Sequence, residues 1–126
     1  MKYVSAEQVV AMHADLLDRY GGEEGGGHRG AEHEGTEAAV QAVRNSYYES
    51  LEELAAAYAI YIVQGHVFMD GNKRTGYTAM CAFLALNGRN LSLPNPVKTM
   101  VELQGRAEDG EKTDLLIRWI AGQLSA

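Results

Sequence analysis

The chain has 126 residues, 46% of them hydrophobic and 22% charged, with a formal net charge of −6. That length suits a single domain over residues 1–126 with a proper core, and the ordinary apolar content excludes wholesale disorder. The acidic balance argues against direct nucleic-acid binding, which draws on a basic face, so any anion site must be local.

The N-terminal "MKYVSAEQVV" carries no long apolar run after Lys2, and nothing in the chain approaches the ~20 apolar residues of a membrane span. A soluble, unexported, cytoplasmic protein is expected, and the single cysteine, Cys81, in the apolar run "TAMCAFLAL", reads as a small buried hydrophobe.

In chain order, Ser5 with Gln8 has the form of a capping box, and Val9, Met12, Leu16 and Tyr20 follow at helical spacing until Gly21 and Gly22 end the run. The Gly-rich, acidic segment from Gly21 to Gly35 reads as a mobile loop. A short second helix is expected from Thr36 to about Ser46, with Ala39, Val40 and Val43 inward. Ser50 with Glu53 repeats the capping-box form before a third helix that carries Leu51, Leu54, Ala55, Tyr58, Ile62 and Val63 up to Gly65. A fourth contains Ala79, Met80, Phe83, Leu84 and Leu86 and closes at Asn87-Gly88. Asn95-Pro96 starts a fifth with Val97, Met100, Val101 and Leu103, and a sixth runs from about Thr113 with Leu116, Ile117, Ile120 and Leu124. The expected fold is all-α, a compact bundle of about six helices. The third and fourth, apolar nearly all round, should be central.

Those two central helices are joined by the polar stretch "GHVFMDGNKRTG", Gly65 to Gly76. Charge at a junction of buried helices requires a partner. The helix beginning near Asn72 offers unpaired N–H groups and the positive end of its dipole, Gly71 permits close approach to the backbone, and Lys73 and Arg74 add formal positive charge. This combination suits a phosphate. Asp70 is placed to hold a Mg²⁺ that bridges phosphate oxygens, and His66 to accept a hydroxyl proton as general base, while Phe68 anchors the stretch in the core. Taken singly, each has a plain structural reading: His66 a helix cap, Asp70-Gly71 a turn, Asn72 an N-cap, Lys73 and Arg74 a solvated pair. Together they are harder to read so, because Lys73 and Arg74 in the first turn oppose the helix dipole in a way that a cap alone does not explain. His28 and His33, without Cys or further His nearby, make a poor zinc site; His13 reads as packing or surface, and Trp119, Tyr47 and Tyr48 as core or groove lining.

"HVFMDGNKR", His66 to Arg74, resembles the signature of the Fic/Doc family, His-x-Phe-x-(Asp/Glu)-(Gly/Ala)-Asn-(Gly/Lys)-Arg, set between two helices of an all-α domain. The start "VSAEQVVAMHADLLDRYGG" and the sequence "NKRTG" before an apolar helix ending in Asn-Gly are similar to its Doc, or death-on-curing, toxin branch. Two positions depart from the AMP-transferring members: their glycine after the asparagine is Lys73 here, and their second arginine is Tyr77. The resemblance implies a toxin of a toxin–antitoxin pair that acts as a serine/threonine protein kinase. It would transfer the γ-phosphoryl of ATP, with Mg²⁺, to a threonine of elongation factor Tu and arrest translation, and a Phd-like antitoxin segment would fold into a groove of the toxin. It gives His66 the activation of the threonine hydroxyl, Asp70 the metal, and Gly71, Asn72, Lys73 and Arg74 the phosphates. Two alternatives stand beside it. One is a transferase that moves AMP onto a protein hydroxyl, which would want a small residue at Lys73, and the other a non-catalytic module held by an antitoxin.

Overall fold

Gly76 and Ala59 set the spacing at the centre of the molecule. A Cβ built on Gly76 would stand 3.2 Å from the Ala59 carbonyl oxygen and 3.4 Å from the Val63 side chain, so the missing side chain lets two helix backbones come together. The structure is a computed structural model that describes the backbone of residues 1–20 and 30–125 and the side chains of residues 1–20 and 34–124. Six helices follow in order, α1 (Ala6–Tyr20), α2 (Gly30–Arg44), α3 (Leu51–Gln64), α4 (Asn72–Leu86), α5 (Pro96–Glu108) and α6 (Thr113–Ser125), and there is no strand among the described residues. The helix joined by Gly76 and Ala59 to α4 is α3, which also packs against α2, α5 and α6. Leu54 to Ile60, Ile62 and Val63 are all buried, as the near-uniform apolarity of this segment requires.

Side-chain caps fix where two helices begin. Before α1, the Ser5 N–H donates to Gln8 Oε1 at 2.8 Å and the Gln8 N–H to Ser5 Oγ at 3.2 Å, a reciprocal capping box. At α3 the Glu53 N–H donates to Ser50 Oγ at 3.1 Å, but the Glu53 carboxylate accepts from the Ser50 hydroxyl rather than from its backbone. The N-terminal strand of chain before α1 is held by Tyr58, whose buried hydroxyl accepts from the Val4 N–H and donates to the Val4 carbonyl, both at 2.8 Å.

The sequence reading needs two corrections here. The second helix starts at Gly30 rather than Thr36 and ends at Arg44, so the C-terminal part of the expected loop is helical. Ala31, Glu32 and Glu34 favour a helix, and the chain at Gly35 runs beside Val67, which a Cβ built there would meet at 3.7 Å. Residues 21–29 of that expected loop, with His28, lie outside the described residues, as does the His33 side chain. Tyr47, expected in the core or a groove, is 99% exposed, because α2 has already ended and the chain turns before Ser50. Val97 and Val101 on α5 are exposed too, and only Thr99, Met100 and Leu103 of that helix are buried.

Candidate active site

Helices α3, α4 and α5 end in the same way. In each, the residue after the C-cap adopts a left-handed conformation and its N–H donates to the carbonyl of the second-last helical residue, while the next N–H donates to the carbonyl one residue earlier, the Schellman arrangement. After α4 and α5 that residue is Gly88 (φ 74°) and Gly110 (φ 83°); after α3 it is His66 (φ 47°). The His66 N–H donates to the Val63 carbonyl at 3.2 Å and the Val67 N–H to that of Ile62 at 3.4 Å. A left-handed side-chain-bearing residue costs roughly 1–2 kcal/mol where glycine costs little. Among the described residues His66 is the one non-glycine with positive φ, and its side chain is exposed. Strain retained at a solvent-facing histidine points to function.

From His66 the chain dips into the core and returns. Val67 and Phe68 are buried. The Phe68 ring stacks on His13 of α1, centroids 3.8 Å apart and nearly parallel. His13 Nε2 lies 2.9 Å from the Asp70 carbonyl oxygen; a carbonyl only accepts, so Nε2 carries the hydrogen. Asn72, first residue of α4, folds back over the loop: its Oδ1 accepts from the Phe68 N–H at 2.9 Å and its Nδ2 donates to the Phe68 carbonyl at 2.7 Å. Asn72 is therefore not the N-cap; Gly71 is, at φ 82°, with no side-chain cap. The Asn72 amide is committed to closing the loop, which leaves its backbone N–H as its means of meeting an anion. Asp70 Oδ1 accepts from the Gly71 N–H at 2.9 Å.

The first turn of α4 contains no acidic residue. Lys73 Nζ donates to Gln104 Oε1 on α5 at 2.9 Å. Arg74 is exposed, and its guanidinium sits 4.5 Å above the Tyr20 ring at the end of α1. Behind them, α3 is tied at its last residue: Gln64 donates to the Glu111 carbonyl at 3.2 Å and accepts from the Thr113 hydroxyl.

Two clefts open on the loop and share Asp70, Gly71 and Lys73. One, about 260 Å³, is walled by polar groups and contains His66, Asn72, Gln104 and Glu108. The other, about 290 Å³, runs between α4 and α5, with Arg74 and Tyr77 on one side and Val97, Met100 and Val101 on the other. Burial and the Cys81 thiol hold the Tyr77 phenol neutral, its pKa pushed up to about 12.

The sequence matches the family model described as Fic/DOC family over residues 3–84. The chain belongs to the Fic/DOC family. It is also 38% identical over 90 residues to a protein named protein kinase doc from Escherichia phage P1, the alignment covering 70% of each chain. The Fic/DOC match ends within α4, so it takes in α3, the whole of the loop and all but the last two residues of α4.

Within this Fic/DOC domain the residues singled out in sequence do come together: His66, Asp70, Gly71, Asn72 and Lys73 line one cleft, and Asp70, Gly71, Lys73 and Arg74 the other. Among the described residues no group of three or more His, Cys, Asp or Glu is arranged to hold a metal. Asp70 therefore does not belong to an all-protein cage. With one or two carboxylates in the polar cleft, Asp70 and Glu108, the donor set would suit Mg²⁺, an ion that keeps waters and takes further ligands from substrate phosphates. Sequence reasoning missed Gln104 and Tyr20, and of the two roles it allowed His13, packing or surface, the structure shows packing. His13 left a trace, since with Ala6 and Val9 it falls on the buried stripe of α1; nothing in the sequence pairs Lys73 with a residue 31 positions away.

Proposed function

We propose that the protein is a Doc-type toxin kinase that transfers the γ-phosphoryl group of ATP to a threonine hydroxyl of a translation factor, elongation factor Tu, and so arrests translation. The observation that supports this most is the meeting of His66, Asp70 and Lys73 at the uncapped start of α4, around one polar cleft. Phosphoryl transfer asks little covalent chemistry of a protein, mainly positioning and neutralisation of charge. The exposed His66 imidazole takes the proton of the attacking hydroxyl. The hydroxyl oxygen bonds to the γ-phosphorus as the bond to the β–γ bridging oxygen breaks, and ADP leaves with that electron pair. Lys73, Arg74 and the N–H groups of the first turn of α4 hold and neutralise the phosphates, and Gly71 keeps the approach to them open. Bound through Asp70, Mg²⁺ would supply further neutralisation of phosphate charge.

Lys73 favours this reading over AMP transfer. It lines both clefts, and a compact ammonium there takes space that inner phosphates would need while attracting a terminal one. Tyr77 stands where a second cation would hold the outer phosphate in the AMP-transfer pose, and it is neutral. The partner that restrains the toxin in this reading is a Phd-like antitoxin tail. An apolar groove between α1 and α4, about 340 Å³ and lined by Val4, Met12, Ala82, Ala85 and Leu86, is of a kind that seats an amphipathic segment. No helix among the described residues is long and apolar enough to cross a membrane, in keeping with a cytoplasmic site of action. The test is to incubate the purified protein with elongation factor Tu and ATP labelled at the α or the γ position. Label retained from γ alone is expected; label from α alone would replace this reading with AMP transfer.

A further inference from the structure

Lys73 is the most mobile cation of the site by its chemistry, an ammonium on four rotatable carbons, yet its position is defined. Its Nζ donates to Gln104 Oε1 at 2.9 Å, across 31 residues of sequence and from one helix to another. Both side chains are half-buried, and both line the polar cleft that contains His66. The acceptor is an uncharged amide, although the carboxylate of Glu108, one turn further along α5, lines the same cleft. That choice has a consequence. A carboxylate partner would hold the ammonium and cancel its charge; an amide holds it and leaves the full charge for an anion. Ordering a flexible lysine beforehand also removes an entropy cost from ligand binding.

We propose that Gln104 is a positioning residue for Lys73: it fixes the ammonium at the mouth of the polar cleft, ready for a terminal phosphate. This rests on the proposed phosphoryl-transfer reading for its purpose, but it is tested by anion binding alone. A purely structural tie between α4 and α5 makes the opposite forecast for one substitution. Gln104→Glu would strengthen such a tie by converting it to an ion pair. If Gln104 instead presents the ammonium to a phosphate, the same substitution pairs off the charge and weakens anion binding.

The experiment is calorimetric titration of the full chain with pyrophosphate. The proteins compared are wild type, Gln104→Glu, Gln104→Met and Lys73→Met, together with the Lys73→Met/Gln104→Glu double variant. Gln104→Glu should bind pyrophosphate about tenfold more weakly than wild type while melting no lower. Gln104→Met, which keeps the volume and loses the acceptor, should be about threefold weaker. In the Lys73→Met background the Glu substitution should lose most of its effect, since its target is gone. Wild-type affinity in both single Gln104 variants, an equal effect with and without Lys73, or no pyrophosphate binding by the wild type would each overturn the assignment. Failure of the kinase reading appears elsewhere, as absence of γ-label on the target while these affinities still differ as stated.

Discussion

His13 Nε2 and the Asp70 carbonyl oxygen stand 2.9 Å apart, joining α1 to the loop 57 residues away. The same ring stacks on Phe68 and is only 2% exposed, so one buried histidine holds two points of the loop that carries the candidate metal ligand. His13→Ala removes the stack and the donor together. It should destabilise the fold by about 3 kcal/mol, measured by urea unfolding. Under conditions where the variant stays folded, target labelling should fall about tenfold, because a displaced loop misplaces reacting groups. Full activity in the folded variant would mean that Asn72 alone sets the loop.

The left-handed conformation of His66 separates stability from activity. His66→Gly should unfold at higher denaturant than wild type, by about 1 kcal/mol, because glycine meets the Schellman turn without strain. His66→Ala keeps the strained backbone and should leave stability nearly unchanged. Both should lose target labelling by 10²–10⁴-fold, roughly the contribution of a general base. Wild-type toxicity in a well-expressed His66→Ala protein would take this residue out of the mechanism.

Thr75 is fully buried in α4 and its hydroxyl has no hydrogen-bond partner among the described residues. Valine has the same shape without the unmet polar group, so Thr75→Val should raise stability by about 1 kcal/mol, read from thermal or urea unfolding. A loss of stability of that size would show that the hydroxyl has a partner of its own, such as a buried water.

Tyr58 makes the fold sensitive to alkali. Burial pushes its pKa up to about 12, and that of Tyr77 moves similarly. A folded-state pKa above the unfolded value of 10 means the folded form keeps the proton longer. The stability involved is complete below pH 10 and is lost as pH rises toward 12. Tyr48 and Tyr61 shift in the same direction. Unfolding free energy measured from pH 9 upward should stay level and then fall. Tyr58→Phe should make that fall shallower, and at neutral pH should cost about 2 kcal/mol by stranding the buried Val4 N–H and carbonyl. An unchanged alkaline slope in the phenylalanine variant would assign the transition to the other tyrosines.

Much of this arrangement was legible from local pattern. Ser5, Ser50, Pro96 and the Asn87-Gly88 pair each mark a helix end by chemistry confined to a few neighbouring residues, and the ends fall where they indicate. The motif from His66 to Arg74 is likewise contiguous, so its residues could be gathered before any fold was known. The start of α2 was not legible, because Gly30 and Gly35 carry the signal of a loop and mask the helix-favouring Ala31, Glu32 and Glu34 between them. The plain reading of Asn72 as a cap fails for a related reason: its amide reaches back four residues to Phe68, and Gly71 takes the capping position. Gln104 and Tyr20 were silent because a neutral amide and a terminal tyrosine acquire their roles from neighbours that only the folded chain supplies.

The contact between Gly76 and Ala59 has a mechanical consequence. Backbone lies close against backbone at this point and the Tyr58 and Phe83 rings pack 5.3 Å apart further along, so α3 and α4 should move as one body, and their central amides should be the last in the molecule to exchange with deuterated solvent. His66 and Asp70 belong to the short span fastened at both ends to that body. The side chains of Lys73 and Arg74 take their bearings from α5 and α1. His66 and Asp70 thus take their place from the central pair of helices, and the charges of Lys73 and Arg74 are held from the flanking ones.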